Sequence, residues 1–153
     1  MKKIYVGSDH AGFELKGKMI TYILSCIKPS DNCAVIDVGC SIKERCDFPT
    51  YAHKLCQNIT EDENRNEKSL GVLICGSGIG MSMAANRFPK IRCALCYNTY
   101  AAKMARNHTD ANVLALGERV IGVDLAKDIV KTFLTEKFLD GRYAARVAML
   151  TPP

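Results

Sequence analysis

The residues with the clearest chemical promise are Cys75 and the glycine turn that follows it, Gly76-Ser77-Gly78-Ile79-Gly80, within LGVLICGSGIGMSMAANR at 70–87. A buried strand that runs into glycines and then a helix usually cradles an anion. Glycines let the chain turn tightly and present successive N–H groups, and the helix adds a partial positive charge at its N-terminus. A thiol at the last strand position faces the place where that anion would lie. Helix N–H groups there can activate it as a nucleophile or a base. The plainer reading is a buried strand cysteine acting as a small hydrophobe, which fits the other seven. Gly76, Gly78 and Gly80 alternate, so the GxGxxG phase is missing, and no lysine completes a P-loop. A dinucleotide therefore fits poorly.

Other polar residues stand where strands end. Asp9 and His10 follow the first strand; Asp9 is also a natural helix cap, a reading that leaves His10 unexplained. His108, in RNHTDAN at 106–112, precedes the last strand and reads equally well as an exposed loop histidine. Arg119 follows that strand, and Arg142 and Arg146 share one face of the last helix at i, i+4. Guanidinium forks match the oxygens of a phosphate monoester, although a solvated face is the plain alternative.

The elements that must position these groups alternate. Strands are expected over 2–7, 32–39, 70–75, 92–97 and 111–117. Helices are expected over 11–28, 48–59, 79–88, 99–107, 124–138 and 141–150. The polar stretch TEDENRNEK at 60–68 reads as a solvated loop. Near-continuous apolar strands imply a sheet covered on both faces, hence a three-layer α/β/α sandwich around a parallel, Rossmann-like sheet. Ligands bind such sheets beyond the carboxyl ends of the strands, near a switch in strand order. A length of 153 residues with 48% apolar content suits one domain, 1–153, with a real core.

Several classes are excluded. No apolar run approaches the roughly 18 residues of a membrane span, and the basic start MKKIYVGSDH is too short in apolar residues for a signal peptide; a soluble, cytoplasmic protein is expected. The 8 cysteines are not read as a disulfide framework, since no export signal accompanies them. Cys93 and Cys96 form a CxxC, but on a strand positions i and i+3 face opposite ways, so no metal is expected. A net charge of +5 comes without a dense basic block or a nucleic-acid motif, and suits small anionic substrates.

Taken in order, GSDHAGFELK, DVG, RCDFPTYA, ICGSGIGMSMAANR, IRCALC, ARNHTDANVLALGERVIG and GRYAARV resemble the type B ribose-5-phosphate isomerase family, which also holds galactose-6-phosphate isomerase subunits. The resemblance runs from residue 4 to about 147. It implies a five-stranded parallel sheet of order 2-1-3-5-4, no metal or other cofactor, and a homodimer, in some members a tetramer, with shared active sites. It implies an aldose–ketose isomerase of the pentose phosphate pathway, interconverting ribose 5-phosphate and ribulose 5-phosphate through an enediolate. By position, Cys75 becomes the base that moves the proton between C2 and C1. Ser77 and the N–H groups of Gly76, Ser77, Gly78, Ile79 and Gly80 hold the enediolate oxygens, and Ser77 relays a proton between O1 and O2. His108 opens the sugar ring with Asp9 assisting, and Thr109 and Asn112 contact the sugar. His10, Arg119, Arg142 and Arg146 bind the phosphate, and Tyr51 lends support. A second branch of the family uses a glutamate in the glycine-loop helix; Met81 stands there, so the cysteine branch matches. Thr109 and Phe48 depart from the family's usual Asn and Tyr, and the insert near 61–68 is long. A six-carbon sugar phosphate (allose or galactose 6-phosphate) as substrate, or a flavodoxin-like nucleotide-binding module, are the rival readings.

Overall fold

The computed structural model describes residues 2–152. Five strands form one sheet: β1 (Lys2–Ser8), β2 (Cys33–Gly39), β3 (Ser69–Cys75), β4 (Cys93–Leu95) and β5 (Val113–Gly117). Their order is β2-β1-β3-β5-β4 and every ladder is parallel, as expected. Six helices connect and flank them: α1 (Phe13–Cys26), α2 (Phe48–Asn64), α3 (Ile79–Ala85), α4 (Thr99–Thr109), α5 (Val123–Thr135) and α6 (Arg142–Ala148). Among the described residues no helix is long and apolar enough to cross a membrane.

Strand alternation divides the core in two. Val6, Val72, Ile74, Leu114 and Leu116 pack with Met19, Ala105 and Phe133 of α1, α4 and α5. Tyr5, Leu73, Cys75, Val113 and Ala115 point the other way, against Leu55, Ile59 and Met81 of α2 and α3. Both faces are thus covered, which is why these strands read as unbroken apolar runs. Cys93 and Cys96 fall on opposite faces, and all eight cysteines are free.

Element ends differ from the expected ones for local reasons. A short 3-10 turn, His10–Gly12, precedes α1, and Ile27 is already extended ahead of Pro29, a residue that disfavours helix before it. The stretch 60–68 is not a loop throughout: α2 continues to Asn64. Asp62 is the cause. It is only 2% exposed and accepts hydrogen bonds from Lys3 Nζ (2.6 Å) and Tyr5 Oη (2.9 Å), so an acidic side chain that reads as solvated anchors the helix to β1.

Candidate active site

The strand order reverses direction between β1 and β3. From β1 the chain passes to β2 on one side, and β3 lies on the other. The crevice beyond their carboxyl ends is where such sheets bind ligands. Asp9 N–H donates to Ile74 O across it at 3.3 Å, and Cys75 ends β3 there, 6% exposed.

The glycine turn is built onto that cysteine. Gly78 N–H donates to Cys75 Sγ at 3.1 Å, and Gly78 holds φ +81°, a conformation that favours glycine. The turn lies directly on β5: a Cβ on Gly117 would stand 2.5 Å from Ser77 O. Tyr97 Oη donates to that same carbonyl at 2.9 Å. Ser77 Oγ accepts the Ile79 N–H at 3.2 Å. Of the five N–H groups expected to face an anion, those of Gly78 and Ile79 are therefore already engaged within the turn. At Gly80 the missing side chain makes room for the Phe48 ring, whose Cζ lies 2.8 Å from where a Cβ would be.

Asp9 and His10 close one wall. Asp9 Oδ1 accepts the N–H groups of Ala11 (2.9 Å) and Gly12 (3.2 Å), so it does cap the turn into α1. His10 Nδ1 accepts the Cys46 N–H at 3.3 Å. That bond leaves the proton of a neutral imidazole on Nε2, available as a donor. Arg119 forms the other wall: its Cδ and Nη1 lie 3.5 Å from the Cβ position at Gly76, and its N–H donates to Gly76 O at 3.0 Å.

The remaining candidates stand elsewhere in the chain. α4 starts beside the carboxyl end of β4 and runs back, so His108 and Thr109 lie at its far end. The His108 ring stacks on Tyr143 of α6, centroids 4.2 Å apart and planes at 9°. The Arg142 guanidinium covers the same Tyr143 ring at 5.0 Å, and Arg142 and Arg146 are exposed. Thr109 Oγ1 donates back to Ala105 O at 2.7 Å. Asn112 lies just before β5, whose Val113 pairs with Gly71 while Gly117 pairs with Cys75. Four residues of strand, about 13 Å at ~3.3 Å each, separate those two pairs. The Asn112 amide is occupied: it accepts the Arg92 N–H (2.8 Å) and donates to Lys90 O (2.8 Å). Asn112 thus ties the segment that leads into β4 to the start of β5. One chain therefore presents two separate constellations. Asp9, His10, Cys75, the turn and Arg119 form the first; His108, Thr109, Arg142 and Arg146 form the second.

Three positioning groups escape a reading of the sequence by residue type. Cys46 acts through its backbone, Tyr97 through a carbonyl, and Glu118 Oε2 accepts the Leu15 N–H at 3.0 Å to tie the end of β5 to α1. Among the described residues no three His, Cys, Asp or Glu side chains are grouped as metal ligands.

A doubly wound sheet with a cysteine over a glycine turn at its switch point defines a class of small-ligand α/β proteins. The chain belongs to the Ribose/Galactose Isomerase family, whose model matches residues 4–150. It is 40% identical over 151 residues to Ribose-5-phosphate isomerase B of Escherichia coli (strain K12), covering 99% of this chain and 95% of that one. Among solved structures it is similar to Ribose-5-Phosphate Isomerase B of Clostridium thermocellum, with a TM-score of 0.87 and 43% identity over 97% of this chain and 94% of that one. It is also similar to the type B ribose 5-phosphate isomerase of Trypanosoma brucei, with a TM-score of 0.88 and 36% identity over 98% and 97%.

Proposed function

We propose that this protein is an aldose–ketose isomerase that interconverts ribose 5-phosphate and ribulose 5-phosphate. The observation that carries the reading is the thiol of Cys75 set against the GSGIG turn by the Gly78 N–H at 3.1 Å. Aldose–ketose isomerisation moves a proton between adjacent carbons while negative charge gathers on two oxygens. It needs a base over the carbons and donors at the oxygens that are in place before the charge develops. Cys75 takes the C2 proton of the open-chain sugar and returns it at C1. The Ser77 hydroxyl and the turn's free N–H groups hold the enediolate, and Ser77 passes a proton between O1 and O2. Asp9 assists at the ring oxygens. His10 and Arg119 meet the phosphate.

His108, Arg142 and Arg146 complete the site from a second copy of the chain. Their distance from Cys75 within one chain supports this. So does the chemistry, since an enediolate must be shielded from water and the strand ends are open on one side. In that arrangement His108 opens the ring and the two arginines of α6 join Arg119 at the phosphate.

The test is a coupled isomerase assay on five- and six-carbon sugar phosphates in the presence of EDTA. Turnover of ribose 5-phosphate well above that of allose and galactose 6-phosphates is the expected result. A preference for a six-carbon substrate would redirect the assignment. Loss of rate under chelation, restored by a divalent metal, would overturn the mechanism. A thermal shift with a nucleotide and none with ribose 5-phosphate would favour a binding module.

A further inference from the structure

One peptide unit of the glycine turn is held at both ends. At one end the Gly78 N–H donates to Cys75 Sγ at 3.1 Å. At the other, Ser77 O accepts the Tyr97 hydroxyl at 2.9 Å. A phenol and the thiol are thus the two ends of one hydrogen-bonded chain that runs through the 77–78 peptide. We propose that Tyr97 is a positioning residue for Cys75: through that peptide it aims and polarises the N–H that stabilises the thiolate.

The peptide needs such a hold. Gly78 takes φ +81°, and glycine adopts either sign of φ at little cost. Local backbone preference therefore does not fix which way the 77–78 peptide faces. Turned over, it would set its carbonyl oxygen toward the sulfur in place of the N–H, and a thiolate there would be repelled. Tyr97 holds the oxygen on the opposite side. There it lies against β5, 2.5 Å from where a Cβ on Gly117 would stand. Tyr97 itself is firmly placed. Cys96, just before it, donates its N–H to Ala115 O of β5 at 3.2 Å. Asn98, just after it, caps α4 by accepting the Ala101 N–H at 2.8 Å.

A donor at the carbonyl draws electron density toward the oxygen and leaves the amide hydrogen more positive. Hydrogen bonds in such a chain strengthen one another by about 10–30% each. The gain favours the thiolate over the thiol, because a hydrogen bond to a charged acceptor is roughly twice as strong as one to a neutral acceptor. The Tyr97 hydroxyl keeps its proton throughout. Nothing else duplicates this support: among the described residues, the Gly78 N–H is the sole hydrogen-bond donor to Cys75 Sγ. Asp9 Oδ1 is spent on the Ala11 and Gly12 N–H groups, His10 Nδ1 accepts the Cys46 N–H, and the Arg119 side chain lies against Gly76.

The effect on the thiolate rests on the geometry of the turn alone; its effect on turnover rests on the isomerase reading. The experiment separates the two. Tyr97→Phe keeps the ring and removes the hydroxyl. The Cys75 thiolate is titrated by its ultraviolet absorbance, as the difference between each protein and the same protein carrying Cys75→Ala. That difference cancels the other thiols and the tyrosines. Asp9, His10 and Arg119 are common to both proteins, so a change between wild type and Tyr97→Phe reports the hydroxyl. At a pH where thiolate is the minor form, Tyr97→Phe should hold roughly 3- to 10-fold less of it, part or all of what one hydrogen bond to a charged group supplies. In the isomerase assay kcat for ribose 5-phosphate should fall on the same order while KM moves less than about 2-fold, since the interaction lost acts on the chemical step. Equal titrations in the two proteins, or more thiolate in the variant, overturn the proposal even where the melting temperature falls, because a merely structural tie gives that result. A shifted titration with unchanged kcat upholds the role of Tyr97 and removes Cys75 from the proton transfer.

Discussion

Gly78 donates its backbone N–H to the sulfur of Cys75 at 3.1 Å, three residues back along the chain. The thiol and the turn are therefore one unit: the residue proposed to move the proton is oriented by the loop proposed to hold the charge. Cys75→Ala or Cys75→Ser should fold normally, because only one heavy atom is removed or exchanged at the edge of the core, a cost of about 1 kcal/mol. Turnover should fall at least ~10²-fold, the lower range for losing a general base. Substantial turnover in a pure Cys75→Ala sample would sink the assignment.

The contact between β5 and the turn makes Gly117 a second probe. A Cβ there would meet Ser77 O at 2.5 Å and Ser77 C at 2.6 Å. Both are backbone atoms, so the turn itself must move. Gly117→Ala should retain the overall far-ultraviolet circular dichroism yet lose on the order of 10²-fold in turnover, the cost of a misplacement near 1 Å. An alanine variant with wild-type turnover would show that the turn is not the rigid donor array described.

Stability should depend on pH through Asp62. Burial opposes its charge, but the hydrogen bonds from Lys3 and Tyr5 outweigh that and hold its carboxyl below the ordinary value of 3.8. A depressed acid contributes stability above its unfolded pKa and loses it as pH falls through the folded one. Burial, then the Asp62 carboxylate, pushes Tyr5 from 10.0 up to about 12. The unfolded chain then ionises first as pH rises, and stability falls across that interval. Asp62→Asn should lower the melting temperature near neutrality, flatten the acid limb between about pH 5 and about pH 2, and shrink the alkaline loss. Melting curves that stay parallel to wild type at every pH would contradict the role given to Asp62.

How much of this could be read beforehand follows the physics of each signal. Apolar periodicity is a repeated signal, so the strand and helix order and both faces of the sheet were legible. The Cys75 turn was legible because glycines and a thiol at a strand end form a local pattern. Asp62 was not. Its burial depends on Lys3 and Tyr5, about sixty residues away, and a run of acids carries no mark of which one turns inward. Tyr97 and Cys46 act on or through backbone atoms, which residue type does not report. Asn112 sits in a motif shared with His108, yet its amide is spent on Arg92 and Lys90. The separation of His108 from Cys75 emerges only when α4 is laid back along the sheet.

That separation leads to the most decisive test. If the site is shared, Cys75 and His108 that work together come from different copies of the chain. Cys75→Ala and His108→Asn are each expected to be inactive alone, because every site in a pure dimer carries one lesion. In a mixed dimer with shared sites, one site collects both lesions and the other collects neither. Random reassortment of an equal mixture makes about half the dimers mixed, and each has one intact site of two. Recovered activity should therefore approach ~25% of wild type for an isologous pair. If both residues served from the same chain, every site in every mixed dimer would keep one lesion and no activity would return. The variants are mixed after reversible unfolding, with a different tag on each so that the mixed dimer can be purified. The isomerase assay is then run on that species alone. The purified mixed dimer should show about half the wild-type rate. A tagged, purified mixed dimer that remains inactive would place both residues in one subunit's site and refute the shared arrangement.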